Sequence, residues 1–330
     1  MKSEHRGDAM DILSNWRSSH SFPLHVFTVR LKRLSKRADP NALVVRRLKR
    51  IPSILKKLKR DQTSKMDMSR MQDIGGCRAV LNSVVDVYNL VDTYRKTDKG
   101  IYHKLKNKKD YIQTPKKDGY RGVHLIYKYS SSKNKEYEGL LIEIQIRTKL
   151  QHYWATAVET VDHFTRQAIK SNEGEKDWMN FFKLASSMFA EMEGTPLVFN
   201  TPEDHRELKE KIRTLAGKLK VVKKMNEWTR FHKIIEEFEK NSKIHYGFYL
   251  LNLNLATKEL KIKAYRKEQE ELANSEYLKH EERMLLNRED RDIVLVSAET
   301  TKELRKAYPN YFLDAREFIN VLNGYFKLKS

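Results

Sequence analysis

The segment Lys109–Tyr127, KDYIQTPKKDGYRGVHLIY, decides the fold of this chain. Its first half is rich in lysine, proline and glycine, which is typical of a loop. From Val123 onward, apolar residues alternate with other side chains, which predicts a strand. An aromatic ring, Tyr120, stands between Gly119 and Arg121 where the loop ends. The segment therefore predicts a polar loop that carries an aromatic group into a sheet.

Composition limits the classes of protein to which the chain can belong. Its 330 residues, 39% of them hydrophobic, are enough for one large or two ordinary cores. The one cysteine excludes a disulfide within the chain and a zinc site of several thiolates, and it predicts a cytoplasmic setting. We find no apolar run of signal-peptide length and none of about 18 residues, so we expect no membrane association. The net charge of +21 favours a polyanionic partner: nucleotide, RNA or DNA.

The residues around the opening segment predict an α+β fold in which a mixed β-sheet is flanked by helices. Cys77–Leu81 is predicted to be a strand and Val84–Arg95 a helix. Residues 124–129 and 139–148 alternate like the two strands of a hairpin, and a helical pattern begins at Lys149.

The C-terminal third differs from the rest of the chain. Residues 201–241 show helical periodicity and predict connecting helices. Beyond them, a hairpin, a charged helix, the strand Asp292–Ala298 and two helices predict a smaller α+β unit. The predicted division is 1–200, 201–241 and 242–330.

Two sets of polar residues suggest a nucleotide site. If Arg47–Lys57 is helical, Arg47, Lys49, Ser53 and Lys57 share one face and suit a triphosphate, although for this segment taken alone a solvated basic face is the better explanation. Asp73 precedes two glycines, and Glu143 lies on an otherwise apolar strand. Two carboxylates in so basic a chain are what a magnesium nucleotide site requires.

Four ordered motifs between Val44 and Glu159 resemble the synthetase domain of the RelA/SpoT family of alarmone pyrophosphokinases. They are Arg47-x-Lys49-x-x-x-Ser53-Ile-x-x-Lys57, Asp73-x-x-Gly76-x-Arg78, Tyr111-Ile-x-x-Pro115-Lys116-x-x-Gly119-Tyr120-Arg121-x-x-His124, and Glu143-x-Gln145-x-Arg147-Thr148. The resemblance implies transfer of the β,γ-pyrophosphate of ATP to a ribose 3′-hydroxyl.

The resemblance also implies a role for each motif residue. ATP would be bound by Arg47, Lys49, Ser53, Lys57 and Arg78. Mg²⁺ would be bound by the catalytic residues Asp73 and Glu143, of which Glu143 would also accept the proton of the attacking hydroxyl. The acceptor would be bound by Lys116, Tyr120, Arg121, His124, Gln145 and Arg147, with Tyr120 stacking on its base.

Two further features resemble the toxic branch of this family. Residues 145–164 are similar to toxic small alarmone synthetases, some of which modify the 3′ CCA end of tRNA. Residues 292–322 are similar to the antitoxin-like, zinc-finger-like domain of the CapRel group of fused toxin–antitoxin phage-defence proteins, which lacks zinc. That similarity implies that Tyr308 and Tyr311 autoinhibit the enzyme by taking the place of adenine, and that a phage protein, with the major capsid protein as one candidate, releases it.

Three hypotheses remain open at this stage. The first is a tRNA pyrophosphokinase whose basic residues Lys104, Lys106, Lys108 and Lys109 bind RNA. The second is a (p)ppGpp synthetase that uses GDP or GTP. The third is an inactive module that binds RNA or a phage protein. For Tyr308 and Tyr311, packing in an ordinary core against the helix that follows them is the alternative to autoinhibition.

Overall fold

The computed structural model describes residues 3–60, 67–96, 103–165, 176–230, 233–237, 244–287, 289–298, 300–312 and 315–327. The strands within these ranges are β1 Leu43–Leu48, β2 Gly75–Leu81, β3 Lys104–Asp110, β4 Val123–Lys128, β5 Leu141–Thr148, β6 Lys233–Glu237, β7 Tyr246–Asn254, β8 Glu259–Arg266 and β9 Arg291–Ser297. The α-helices are α1 Ser3–Ser19, α2 Ser21–Ala38, α3 Ile51–Arg60, α4 Val84–Lys96, α5 Lys149–Thr165, α6 Lys176–Glu193, α7 His205–Leu219, α8 Val221–Arg230, α9 Glu270–Asn287, α10 Thr301–Ala307 and α11 Arg316–Lys327.

The strands form one mixed sheet in the order β3-β4-β5-β2-β1-β9-β7-β8-β6. The β2–β5 and β6–β8 pairs are parallel, and the other neighbouring pairs are antiparallel. The predicted α+β fold with a mixed sheet flanked by helices is therefore confirmed. The predicted strand at 77–81, helix at 84–95, hairpin and helix from Lys149 are confirmed as well.

Apolar and polar side chains alternate along β5, so the two faces of this strand differ. Ile142, Ile144 and Ile146 are fully buried in a cluster with α2 and α4. Glu143 and Gln145 alternate with them and project from the opposite face, because successive side chains of a strand point to opposite sides. The apolar face thus anchors the strand, and the polar face is free to carry a site.

The C-terminal strands extend this sheet. β9 pairs with β1 through Arg46–Ser297 and Arg47–Val296, and β7 and β8 follow outward from β9. The division at residue 242 stays a prediction; across it, the described strands belong to one sheet. Within 201–241, the prediction of helix throughout is wrong at Lys233–Glu237, which is a strand that pairs in parallel with β8. Its apolar residues, Ile234 and Ile235, are half-buried at the edge of the sheet.

A helical layer closes the other side of the N-terminal half. Helices α5, α6, α7, α8 and α11 share one apolar cluster that contains the buried Trp154, Trp178 and Phe318. The C-terminal helix α11 therefore packs on the same helices that border the polar face of β5. Within the described part of the chain, we find no helix that is both long enough and apolar enough to cross a membrane.

Cys77 is 1% exposed on β2, and burial raises its thiol pKa to about 12. Because the thiolate is the reactive form, we expect iodoacetamide at pH 8 to leave Cys77 unmodified in the native protein. After unfolding in guanidinium chloride, the same reagent should alkylate it completely. Intact-mass spectrometry before and after unfolding measures this difference, and rapid labelling of the native protein would contradict the buried position.

Candidate active site

The polar face of the sheet carries two cross-strand rows of side chains. Lys109, His124, Gln145 and Arg78 are register partners across β3, β4, β5 and β2. In the adjacent row, Glu143 on β5 is opposite Gly76 on β2, which is opposite Arg47 on β1.

Gly76 keeps the second row open between Arg47 and Glu143. A Cβ atom at this position would approach only the carbonyl oxygens of Arg47 and Glu143, each at 4.0 Å. The backbone therefore has room for a side chain at Gly76, but that side chain would stand between the guanidinium and the carboxylate. The glycine leaves this floor accessible to a ligand.

These rows form the floor of a cavity of about 580 Å³ between the sheet and helices α5 and α6. The predicted site residues that line it are Arg47, Lys49, Lys57, Asp73, Arg78, Lys109, Lys116, Tyr120, His124, Glu143, Gln145 and Arg147. The sequence motifs thus converge on one concave, cationic site.

The loop before β4 bends sharply at two glycines with left-handed backbone, Gly119 (φ 96°) and Gly122 (φ 144°). Side chains other than glycine rarely adopt such angles. The Gly119 N–H donates to the Lys116 carbonyl at 2.9 Å, and the Tyr111 N–H donates to the Gly122 carbonyl at 2.9 Å. The bend places Tyr120 at the cavity wall, half-buried, with the Lys116 ammonium 4.8 Å from its ring centre.

A chain of hydrogen bonds connects five of the predicted residues. Arg78 Nε donates to Gln145 Oε1 (3.3 Å), and Gln145 Nε2 donates to Glu143 Oε2 (2.7 Å). His124 Nδ1 donates to Glu143 Oε1 (2.9 Å), since an ionised carboxylate can only accept, and its Nε2 lies 2.7 Å from the Tyr120 hydroxyl oxygen. Both oxygens of Glu143 are therefore held in place.

These bonds decide the charge of Glu143. Burial alone would raise its pKa, and the nearby Asp73 acts in the same direction. The hydrogen bonds from His124 and Gln145 outweigh both effects, so the pKa lies below its ordinary value. Glu143 is ionised at neutral pH and can accept a proton or a cation.

Asp73 lines the same cavity and lies between two lysines. Its Oδ2 is 2.7 Å from Lys49 Nζ and its Oδ1 is 3.0 Å from Lys57 Nζ. Burial raises the pKa of Asp73, but the two lysines lower it further, so the carboxyl stays charged. Among the described residues, we find no group of three or more His, Cys, Asp or Glu that could hold a metal ion by itself. Two ionised carboxylates in one cavity still fit Mg²⁺, which takes its other ligands from phosphates and water.

Arg147 is deeply buried behind Gln145. Burial lowers its pKa to about 9, and the positive charges of Arg78 and Arg47 act in the same direction. Its guanidinium contacts His152 Nδ1 on α5, and the other ring nitrogen of His152 lies 2.9 Å from the Lys306 carbonyl on α10. The cavity wall is thereby connected to the C-terminal unit.

Three of the predicted site residues, Arg47, Arg121 and Ser53, are placed differently from expectation. Arg47 is on strand β1 and only Ser53 and Lys57 are on helix α3, because β1 is fixed by its pairing with β2 and β9 rather than by its own pattern. Arg121 does not line the cavity: it is 3% exposed and donates to Ser186 Oγ (3.0 Å) and the Pro196 carbonyl (2.6 Å). It supports the loop from behind, because the bend at Gly119 and Gly122 turns it inward. Ser53 is half-buried and is not among the lining residues.

Tyr308 and Tyr311 lie between the C-terminal unit and the Arg47 side of the site. They are 2% and 1% exposed within the whole chain. They pack on the sheet in a cluster with Val45, and Phe318 belongs to a different cluster. The Tyr308 hydroxyl donates to the Arg46 carbonyl at 3.4 Å. Burial raises the Tyr308 pKa against the opposing charges of Arg47 and Arg78, which lie close to it.

Residues 46–165 match the family model described as the region found in RelA / SpoT proteins. The chain therefore contains a region of the kind found in RelA / SpoT proteins. The matched range runs from the second half of β1 to the end of α5 and includes every predicted residue that lines the cavity.

Two curated proteins that are similar to this part of the chain are GTP pyrophosphokinases. GTP pyrophosphokinase YwaC of Bacillus subtilis (strain 168) is 29% identical over 164 residues, which are 46% of this chain and 77% of the relative. GTP pyrophosphokinase YjbM of the same organism is 30% identical over 139 residues, 42% of this chain and 62% of the relative. The chain thus spans less than two thirds of YjbM.

Solved structures of small alarmone synthetases align with about half of this chain. The small alarmone synthetase 2 from Bacillus subtilis is 26% identical with a TM-score of 0.46, and the alignment covers 55% of this chain and 93% of that one. The small alarmone synthetase 1 from Bacillus subtilis bound to its product pppGpp is 23% identical with a TM-score of 0.45. Its alignment covers 53% of this chain and 90% of that one.

Sequence reasoning missed part of the RelA/SpoT cavity. Helices α5 and α6 contribute Trp154, Glu159, Asn180 and Lys183, and all four line it. Trp154 and Glu159 fall within the helical pattern that we predicted, but nothing in that pattern shows which side faces the sheet. Asn180 and Lys183 lie beyond the four motifs, and only the packing of α6 on α5 brings them in.

Proposed function

We propose that this chain transfers the β,γ-pyrophosphate of ATP to the 3′-hydroxyl of a ribose, and that this ribose belongs to the terminal adenosine of a tRNA CCA end. The observation that supports the reaction most strongly is the ionised Glu143, fixed by His124 and Gln145 at the centre of a cationic cavity. A carboxylate in this position suits a general base for the attacking hydroxyl.

In this proposal the donor occupies the β1–β2 side of the cavity. Arg47 and Arg78 hold the adenine, while Lys49 and Lys57 hold the phosphates. Asp73 and Glu143 would hold Mg²⁺, which supplies charge neutralisation when bound. The lysines that now pair with Asp73 would turn to the triphosphate, and positioning together with charge would supply most of the rate.

The acceptor occupies the β4 side, against Tyr120. A base can stack on the ring once the Lys116 ammonium moves to a phosphate, and Lys109, Gln145 and Arg147 line the same end. The fixed His124–Tyr120 contact keeps the ring orientation. Stacking contributes about 1–3 kcal/mol per base and does not by itself select the base.

GDP or GTP is the second candidate acceptor, because both curated relatives are GTP pyrophosphokinases. Incubation with γ-labelled ATP and either deacylated tRNA or GTP decides between the two. Label in tRNA supports the first candidate, and label in GTP alone supports the second. Label in neither, under conditions in which ATP is bound, would support the inactive binding module.

The basic edge strand β3 favours the RNA acceptor. Lys104, Lys106 and Lys108 are exposed on this strand, which lies at the end of the sheet, and Lys109 lines the cavity. The strand thus leads a cationic track into the acceptor side. A mononucleotide is too short to follow it.

We expect the changes Lys104→Gln and Lys106→Gln together to weaken tRNA binding and to flatten its dependence on salt. Each phosphate contact that is lost reduces the slope of log K against log salt by about 0.7 to 0.9. Binding is measured by fluorescence anisotropy between 50 and 300 mM KCl. Lys211→Gln with Lys223→Gln on α7 and α8 is the matched control, because these exposed lysines lie outside the cavity. An unchanged slope would place the RNA contact elsewhere.

The C-terminal unit is proposed to hold this enzyme in a closed state. Tyr308 lies against the β1 backbone beside Arg47, where the adenine of ATP would bind. A phage protein, with the major capsid protein as one candidate, would bind this unit better in an open state. It would shift the population by no more than its differential affinity.

A further inference from the structure

Phe199 is the most exposed large apolar side chain in the described part of the chain, at 78%. It lies in the loop between α6 and α7. A single exposed apolar side chain is common on protein surfaces, so a role for Phe199 must be inferred from the loop that holds it and from the cavity beside it.

The loop around Phe199 is built to hold the ring outward. Ser187 Oγ accepts from the Val198 N–H at 3.0 Å and lies 2.7 Å from Thr201 Oγ1, which donates to the Val198 carbonyl at 2.6 Å. Asn200 has a left-handed φ of 59°. The residues on both sides of Phe199 are therefore fixed, and the ring is presented rather than loosely exposed.

The same loop borders the acceptor side of the cavity. Lys183, which lines the cavity, donates through Nζ to the Asn200 carbonyl at 3.3 Å. Arg121, from the loop that carries Tyr120, donates to the Pro196 carbonyl at 2.6 Å. Phe199 thus stands just outside the cavity, one residue from a contact with its wall.

We propose that Phe199 is a second stacking platform, which binds the base next to the terminal nucleotide of a single-stranded RNA 3′ end. The inference rests on the proposed tRNA acceptor, and it identifies a residue that selects a polynucleotide. Single-stranded nucleic acids are bound by aromatic rings beside a cationic groove, and Lys183 of the cavity wall bonds to Asn200, the residue that follows Phe199. A mononucleotide has no second base, so it gains nothing from Phe199.

The test measures RNA binding to the intact protein by fluorescence anisotropy at one fixed salt concentration. The probes are a fluorescein-labelled tRNA acceptor minihelix ending in single-stranded CCA and the same minihelix with a blunt end. We expect Phe199→Ala to reduce the preference for the CCA end by about 5-fold or more, as loss of one stacked base predicts. Phe199→Trp should retain the preference. Leu286→Ala, which removes a 60% exposed side chain on α9 away from the cavity, is the matched control and should change neither affinity.

A spectroscopic readout separates stacking from a general loss of affinity. With 2-aminopurine as the penultimate base of the CCA-type end, binding should quench its fluorescence in wild type and in Phe199→Trp, and much less in Phe199→Ala. Equal preference in wild type and Phe199→Ala, or equal weakening of both probes, would overturn the stacking role while leaving the tRNA acceptor in place. If the wild-type protein does not prefer the CCA end at all, the tRNA acceptor itself fails, and a protein contact for Phe199 becomes the better explanation.

Discussion

Glu143→Gln is expected to lower pyrophosphate transfer by about 10²- to 10⁴-fold, the usual contribution of a positioned general base. The change keeps the size of the side chain and removes the charge that now accepts hydrogen bonds from His124 and Gln145. A neutral amide can neither take the hydroxyl proton nor bind Mg²⁺ as a carboxylate does. Transfer is measured with γ-labelled ATP and whichever acceptor the wild-type protein labels.

The matched control for this experiment is Glu159→Gln. Glu159 lines the same cavity from α5, so the control removes the same charge a short distance from the proposed base. We expect a much smaller loss for it, and thermal unfolding curves establish that both variants fold. Activity of Glu143→Gln above about a tenth of wild type, equivalent to roughly 1.4 kcal/mol, would remove Glu143 from the chemical step.

The double change Tyr308→Ala and Tyr311→Ala is expected to raise transfer at least about tenfold and to lower the KM for ATP. Both rings are buried against the sheet, and Tyr308 lies beside Arg47, so their removal opens the proposed adenine position. A tenfold rise corresponds to a change of about 1.4 kcal/mol in the free energy that holds the rings in the closed state. In bacteria, the variant should be toxic without infection, or insensitive to infection if the rings also contact the trigger.

Loss of buried aromatic rings also destabilises the folded protein, so this test needs a control variant that loses a similar amount of stability. Truncation of a buried aromatic ring to alanine typically costs about 3–5 kcal/mol. Tyr249 is 1% exposed in the same cluster, but it lies on β7 and strand β9 separates it from Arg47. If Tyr249→Ala activates the enzyme as strongly as the double variant, general loosening of the C-terminal unit explains the effect. Wild-type behaviour of the double variant would make the rings ordinary core residues.

The sequence predicted the residues of the site better than their arrangement. The alternation in β5 was sufficient, because the burial of Ile142, Ile144 and Ile146 dictates where Glu143 and Gln145 point. Arg47 was placed on a helix because spacing alone cannot distinguish a basic strand whose partners, β2 and β9, are distant in the chain. The local sequence pattern does not predict secondary structure correctly where pairing with distant strands determines it.

The orientation of side chains in loops was the second feature that the sequence could not predict. Arg121 and Tyr120 are adjacent, yet the backbone bend turns one inward to Ser186 and the other to the cavity wall. Phe199 gave no sequence signal, since its exposure depends on bonds from Ser187 and Thr201 rather than on an apolar pattern. The motifs identify chemistry, whereas orientation emerges only from the folded backbone.

The short pairing of β9 with β1 gives the proposed inhibitor an unusual property. Because strand β9 and Tyr308 belong to the same polypeptide as Arg47, the inhibitor is present at a fixed effective concentration, which for tethered partners is of millimolar order. Dilution of the protein, or a fall in its expression, cannot separate the two as it would separate a free toxin from a free antitoxin. Under the proposed inhibition, the inhibited fraction would therefore not depend on the protein concentration, and each molecule would respond to the trigger independently.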